Sequence, residues 1–140
     1  MISSLISRTS AGFLAIGGLV LLFAPDELLP RALPAFPVTV SWMGQLVAAG
    51  WLGLAVLNWV SRSTVLGGIY GRPVVLANAW FYFIGATTLL RVMFAHEHLM
   101  MLGWIAVPVA VFAGVYAWLL FRGPIGGDFA RALGAVSPSA

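Results

Sequence analysis

The sequence predicts an all-α integral membrane protein, a four-helix bundle with up-down-up-down connectivity and both termini in the cytoplasm. Three observations lead to this prediction. First, 61% of the 140 residues are hydrophobic and only 8% are charged, whereas soluble domains are about 25% charged. Second, the mean hydropathy is +1.02. Third, the apolar residues form four long runs, as in a chain that crosses a bilayer several times.

Each apolar run predicts one membrane-spanning helix, because about 20 helical residues span a hydrocarbon core of roughly 30 Å. The first run is the shortest, and its helix is long enough if it begins near Leu5 and Arg8 extends toward the headgroups. We predict one domain over residues 1–122 and a flexible cytoplasmic tail over residues 123–140. The predicted helices cover residues 5–24, 41–60, 74–95 and 99–121.

The distribution of arginine predicts the orientation in the membrane. Four spans place both termini and the middle loop on one side, and arginine-rich segments remain cytoplasmic. Lysine is absent, and the Ala-, Gly- and Arg-rich composition is typical of a GC-rich bacterial genome, which predicts a multi-pass protein of the bacterial inner membrane. The predicted cytoplasmic side carries Arg8, Arg62, Arg72, Arg122 and Arg131, and the outer side carries Arg31 and Arg91.

Composition also excludes several classes of function. The chain has no cysteine, so it cannot form a disulfide, a thiolate-bound metal site or a cysteine nucleophile. Its net charge of +3 comes from seven scattered arginines and four acids, which form no basic patch. We therefore predict no nucleic-acid partner.

A short segment after the first span is predicted to lie on the outer surface. Pro25 suits the first turn of a helix, and Asp26 and Glu27 suit its positive end. The sequence therefore predicts an amphipathic segment over residues 25–34. Its leucines, Leu28, Leu29 and Leu33, are expected to face lipid.

Two asparagines lie at matching depths near the predicted cytoplasmic ends of the second and third spans. Asn58 precedes the end of the second span by two residues, and Asn78 follows the start of the third. An unpaired amide is costly in hydrocarbon, so we predict that they form an interhelical pair. The other interpretation is contact with a headgroup or a cofactor.

A second group of polar residues is predicted at the outer side. Arg91 needs an acceptor there, and we expect an acid (Glu97, Asp26 or Glu27) or a carbonyl of the first outer loop. The group is either an interfacial ion pair or a small outward-facing cavity. The HExxH spacing of catalytic zinc helices is absent, so no metal site is predicted. The members of this outer polar cluster are Gln45, Arg91, His96, Glu97 and His98.

Aromatic and small residues predict how the helices pack. Trp51 and residues 80–83 are expected to pack in the core or against lipid, or to line a site for a quinone, carotenoid or other flat apolar molecule. Small residues four apart let helix backbones approach closely. The second span has two such pairs, Gly44 with Ala48 and Ala49 with Gly53, and the fourth span has Ala106, Ala110 and Gly114.

Short motifs in the first and second spans carry a resemblance to a known family. They are Leu22, Phe23, Ala24 and Pro25, then Gly53, Leu54 and Ala55, then Asn58, Trp59 and Arg62. On these residues the chain resembles the small bacterial DoxX-like integral membrane proteins. The resemblance covers about residues 17–91, and it implies a four-helix membrane fold. That group is largely uncharacterised, with some members described as oxidoreductase-associated subunits, and no catalytic residue can be carried over.

Two functional hypotheses remain. The first is a non-catalytic integral subunit of a larger inner-membrane complex, whose partners are membrane lipids and other integral membrane subunits. The second is a small membrane enzyme or transporter that acts on a lipid-soluble molecule at the outer rim. No catalytic motif is found, which favours the first hypothesis. The cofactor is unknown, with a lipid, quinone or pigment as the candidates.

Overall fold

The computed structural model describes residues 2–32, 37–64, 71–95 and 102–122. Within these ranges the chain is entirely helical and contains no strand. Four of its helices are long, one is short, and 3₁₀ turns at Val38–Val40 and Ser61–Ser63 flank the second long helix. The all-α prediction is confirmed. The helices are α1 (Ile2–Phe23), α2 (Pro25–Ala32), α3 (Trp42–Val60), α4 (Arg72–Ala95) and α5 (Gly103–Arg122).

The helix limits differ from the sequence prediction mainly at the ends. Helix α1 begins at Ile2 instead of near Leu5. Helix α5 begins at Gly103. Residues 33–34 of the predicted amphipathic segment, residues 99–101 of the fourth predicted span and the predicted tail lie outside the described residues.

The four long helices have the length and composition of membrane spans. They contain apolar stretches of 19 to 24 residues, which match the roughly 20 residues that a bilayer requires. Their outer surfaces are apolar as well: the side chains of Phe23, Phe94, Trp104 and Phe121 are 81–88% exposed. Such surfaces suit a lipid environment, and the chain has the features of a multi-pass membrane protein.

Successive long helices run antiparallel. Along α1 the residues Gly17 and Gly18 lie beside Trp51 and Leu52 of α3, and further along α1 Leu21 lies near Gly44, which is earlier in α3. Helices α4 and α5 show the same reversal, because Gly85 faces Val109 while the ring of Tyr82 stacks on that of Phe112. The fold therefore consists of two antiparallel pairs, α1 with α3 and α4 with α5.

The short helix α2 returns toward the bundle. Its residue Leu29 lies so close to Gly44 of α3 that a Cβ atom at Gly44 would be 2.8 Å from Leu29 Cδ1. Leu29 therefore packs against α3 while part of its side chain stays exposed, and its contact with lipid stays a prediction. Gly44 has no side chain, so it leaves room for Leu29 on the α3 surface, and Leu33 lies outside the described residues.

A layer of aromatic rings joins the two helix pairs. The rings form a closed circuit in which each contacts the next at centroid distances of 5.0 to 6.2 Å. Tilted, edge-on and offset-stacked contacts of this kind add to the stabilisation from burial. The circuit runs through Phe13 of α1, Trp51 of α3, Phe81 and Tyr82 of α4, and Phe112 of α5.

Candidate functional site

Six polar side chains are buried together in one half of the bundle. Tyr82 belongs to the aromatic layer, and the other five lie between that layer and the end of the bundle where α1 begins. Each is fully shielded from solvent, with 0% of its surface exposed. Buried polar groups inside an apolar bundle are costly unless they are paired, so they mark the site that is chemically most distinctive. This polar cluster consists of Ser7, Ser10, Asn58, Asn78, Tyr82 and Tyr116.

Helical spacing brings these residues onto inward faces. Ser7 and Ser10 are three residues apart on α1, and Asn78 and Tyr82 are four apart on α4, so each pair shares one helix face. Tyr116 follows Phe112 by four residues on α5 and therefore points toward the same interior as the aromatic layer. The four long helices each contribute at least one member of the cluster.

The two asparagines form a reciprocal amide pair. Asn58 Nδ2 donates to Asn78 Oδ1 at 2.8 Å, and Asn78 Nδ2 donates to Asn58 Oδ1 at 2.6 Å. Asn78 Nδ2 also donates to the carbonyl oxygen of Val74 at 2.8 Å. The structure thus brings together the pair whose depths match in the sequence. It joins α3 to α4 through their polar groups.

Ser10 extends this pair to the first helix. Its Oγ accepts the second amide hydrogen of Asn58 at 3.0 Å, and it shares a hydrogen bond of 2.7 Å with the hydroxyl of Tyr82. One hydroxyl therefore contacts α3 and α4 at once. The direct hydrogen bonds of the cluster link α1, α3 and α4.

Two hydroxyls of the cluster remain unpaired. Among the residues that the structure describes, neither Ser7 Oγ nor Tyr116 Oη has a hydrogen-bond partner. The ring of Tyr116 stacks on that of Tyr82, with centroids 5.7 Å apart and planes only 13° from parallel. The cluster contains hydroxyls and amides and no charged side chain, so its chemistry is that of neutral hydrogen bonding.

No family model, curated protein or solved structure matches this chain. The resemblance to DoxX-like proteins therefore stays a prediction.

The outer polar cluster is described only in part. Gln45 on α3 and Arg91 on α4 both have exposed side chains. Within the described ranges Arg91 forms no ion pair with Asp26 or Glu27, which are exposed on α2. His96, Glu97 and His98 lie outside those ranges, so pairing of Arg91 with Glu97 remains a prediction. No group of three metal-binding side chains occurs in the part of the chain that the structure describes.

A further feature is an open patch on the outer surface of α3. Ala49, Gly50 and Gly53 are exposed, and a Cβ atom at Gly50 or Gly53 would meet nothing within 4 Å. The other small pair of this helix, Gly44 and Ala48, is buried in the bundle. We call the exposed group, Ala49, Gly50 and Gly53, the α3 small-residue face.

Sequence reasoning missed most of the polar cluster. It selected Asn58 and Asn78, because amides are conspicuous in an apolar run, and it treated Tyr82 only as an aromatic side chain. Two signals were available: the three-residue spacing of Ser7 and Ser10, and the position of Tyr82 one helical turn beyond Asn78. The hydroxyl of Tyr116 gave no signal, because the sequence does not show which way α5 is rotated.

Proposed function

We propose that this protein is a non-catalytic integral subunit, or accessory component, of a larger bacterial inner-membrane complex. It would sit in the membrane with both termini in the cytoplasm and pack laterally against the spans of other subunits. The observation that carries the proposal is the α3 small-residue face, which leaves a shallow open surface on the outside of the bundle.

Surface chemistry supports a lateral partner. A helix surface of small residues lets a second helix approach closely, so that van der Waals contacts can hold the two together inside a bilayer. On α3 this surface consists of Ala49, Gly50 and Gly53, and bulky exposed side chains, Leu46 and Val56, lie beside it. The expected occupant is an apolar transmembrane helix of a different subunit.

The composition of the polar cluster supports a structural role. General acid–base catalysis most often uses a histidine, and less often a carboxylate, an amine, a thiol or a tyrosine. Of these groups the cluster contains only its two tyrosines. Its amides are already bonded to protein groups. An enzyme or transporter acting at the outer rim would need Arg91 to face a cavity, and the exposed position of Arg91 on α4 gives that alternative no support.

The proposal is tested by filling the α3 small-residue face. The variant Gly50→Ile/Gly53→Ile adds two branched side chains where the protein itself has open space, so the isolated bundle should remain folded. Native mass spectrometry of the tagged protein, extracted from its own membrane in mild detergent, should detect a larger assembly for the wild type. The double variant should appear largely without its partners.

The matched control is Gly114→Ile on α5. Gly114 is also exposed, and a Cβ atom there would also meet nothing within 4 Å. We expect this variant to retain the assembly. A wild-type protein that is recovered only as a lone 14.9-kDa particle would contradict the proposal. Equal loss of partners from both variants would exclude the α3 small-residue face as the contact surface.

A further inference from the structure

Most hydroxyl hydrogens of the polar cluster are not donated to any group among the residues that the structure describes. Its four amide hydrogens are all donated, two from Asn58 and two from Asn78. Of its four hydroxyl hydrogens, in contrast, only one is donated among the described residues, in the hydrogen bond between Ser10 and Tyr82. Three hydroxyl hydrogens are therefore left over, one each from Ser7 and Tyr116 and one from the Ser10–Tyr82 pair.

Both unpaired hydroxyls belong to residues that neighbour Ser10. Ser7 is one helical turn from Ser10 on the same face of α1, which places their Cβ atoms about 5–6 Å apart. Tyr116 lies against Tyr82, whose hydroxyl bonds to Ser10. The hydroxyl of Tyr116 also lies near that of Ser10, outside direct hydrogen-bond geometry. Both unpaired groups thus border Ser10.

We infer that a buried water molecule binds between Ser7 Oγ and Tyr116 Oη. A water accepts two hydrogen bonds at about 2.8 Å each, so it can join hydroxyls that are about 5 Å apart. Buried waters typically make about three hydrogen bonds to polar groups that would otherwise be unsatisfied. The third bond here runs from a hydrogen of the water to an oxygen of the Ser10–Tyr82 pair.

The chemistry of the cluster favours water over an ion. The cluster has no carboxylate that could balance the charge of a metal cation, so a cation would be buried there at high cost. No charged side chain belongs to the cluster, so an anion would be buried without a counter-charge, at high cost. A neutral acceptor remains, and water is the smallest one.

The bound water completes the polar contacts of the bundle. The direct hydrogen bonds join α1, α3 and α4, and Tyr116 is the member of the cluster on α5. A water on Tyr116 therefore connects the fourth long helix to the network. This inference is independent of the proposed function, because it concerns the isolated bundle.

The test compares Ser7→Ala, Tyr116→Phe and the double variant in thermal melts of the purified protein in detergent. If the two hydroxyls share a water, each single substitution removes one of its partners and should lower Tm. The double variant should then lose little more than the larger single loss, because the water has already lost its site. Tyr82→Phe, which removes a directly bonded hydroxyl, provides the matched reference for a paired tyrosine.

Two results would overturn the inference. An unchanged or raised Tm in either single variant would show that the hydroxyl is buried in a dry environment, since removing an unpaired polar group is neutral or stabilising. Strictly additive losses would show that the two hydroxyls have separate partners.

A second measurement uses the wild-type protein and does not depend on how the variants fold. Radiolytic hydroxyl-radical footprinting modifies buried side chains only where water is bound beside them. We expect modification of Tyr116 in the wild type and its loss in Ser7→Ala. An unmodified Tyr116 in the wild-type protein would contradict the inference.

Discussion

At the scale of single residues, the protein pairs its most polar uncharged groups inside an apolar bundle. The amides of Asn58 and Asn78 satisfy each other in both directions, and their remaining hydrogens reach Ser10 and the carbonyl of Val74. In hydrocarbon an unpaired amide would cost several kcal/mol, on the order of 2–7. The pair therefore favours one arrangement of α3 against α4 over arrangements that leave these groups unbonded.

Replacement of either asparagine should destabilise the bundle. Asn58→Ala leaves the Asn78 amide with an unpaired oxygen and one unpaired hydrogen, and Asn78→Ala does the same to Asn58. We expect each single variant to lower the free energy of unfolding by about 1–3 kcal/mol. The double variant should cost less than the sum of the two, with a coupling of roughly 0.6 to 1.7 kcal/mol.

Equilibrium unfolding in mixed detergent micelles would measure these changes. Thr87→Val serves as the control, because the Thr87 hydroxyl is exposed and bonds only to carbonyls of its own helix, those of Phe83 and Ile84. Its effect should stay within about 0.5 kcal/mol. Additive losses in the two asparagine variants would indicate that the amides are stabilised separately.

At the scale of helices, glycine allows the close approach of α1 and α3. Gly18 is buried, and a Cβ atom there would lie 2.9 Å from Leu52 Cγ and 3.3 Å from Trp51 Cβ. The second of these atoms is attached directly to the α3 backbone, so it cannot move without a shift of the helix. The spacing of this helix pair therefore depends on the absence of a side chain at residue 18.

Alanine at two glycines of α1 should have opposite effects. Gly18→Ala forces α1 and α3 apart or displaces Leu52, and we expect a loss of about 1–3 kcal/mol in the free energy of unfolding. At Gly12 a Cβ atom meets nothing within 4 Å. Gly12→Ala should therefore be neutral or stabilise the helix by up to about 1 kcal/mol.

The same unfolding measurement distinguishes the two alanine variants. Each variant adds one methyl group to the same helix, and the two differ only in its position. Differences in expression or detergent binding should therefore largely cancel. Equal stability of both variants would show that α1 and α3 are more loosely packed than the structure indicates.

At the scale of the whole molecule, the apolar side chains face outward and the polar groups lie inside or at the ends. Large apolar residues such as Leu46, Ile84 and Val107 are 55–64% exposed on the outer surfaces of the long helices. At the end of α3, the guanidinium of Arg62 lies 4.6 Å from the ring centroid of Trp59 and donates to its carbonyl oxygen. Tryptophan and arginine are typical of the boundary between lipid and water.

The orientation of the molecule in the membrane is a separate prediction. Because arginine is concentrated on the side that holds both termini, a reporter fused after Ala140 should be active only if it functions in the cytoplasm. A reporter fused after Pro37, between α2 and α3, should show the opposite behaviour. Periplasmic activity of the fusion after Ala140 would reverse the predicted orientation.

The sequence alone determined the helical class, the number of long helices and their approximate limits. These properties depend on local quantities, since hydropathy and length indicate a span, and the proline and acids at residues 25–27 indicate the start of a short helix. The sequence also identified Asn58 and Asn78, because their depth can be counted from the helix ends.

Only the tertiary structure decided how each helix is rotated about its axis. The long helices are apolar on nearly every side, so no amphipathic pattern shows which face turns inward. For this reason the sequence could not predict that Gly44 and Ala48 are buried while Ala49 and Gly53 are exposed. It also could not predict that Ser10 and Tyr82 extend the asparagine pair, since that depends on the simultaneous packing of several helices.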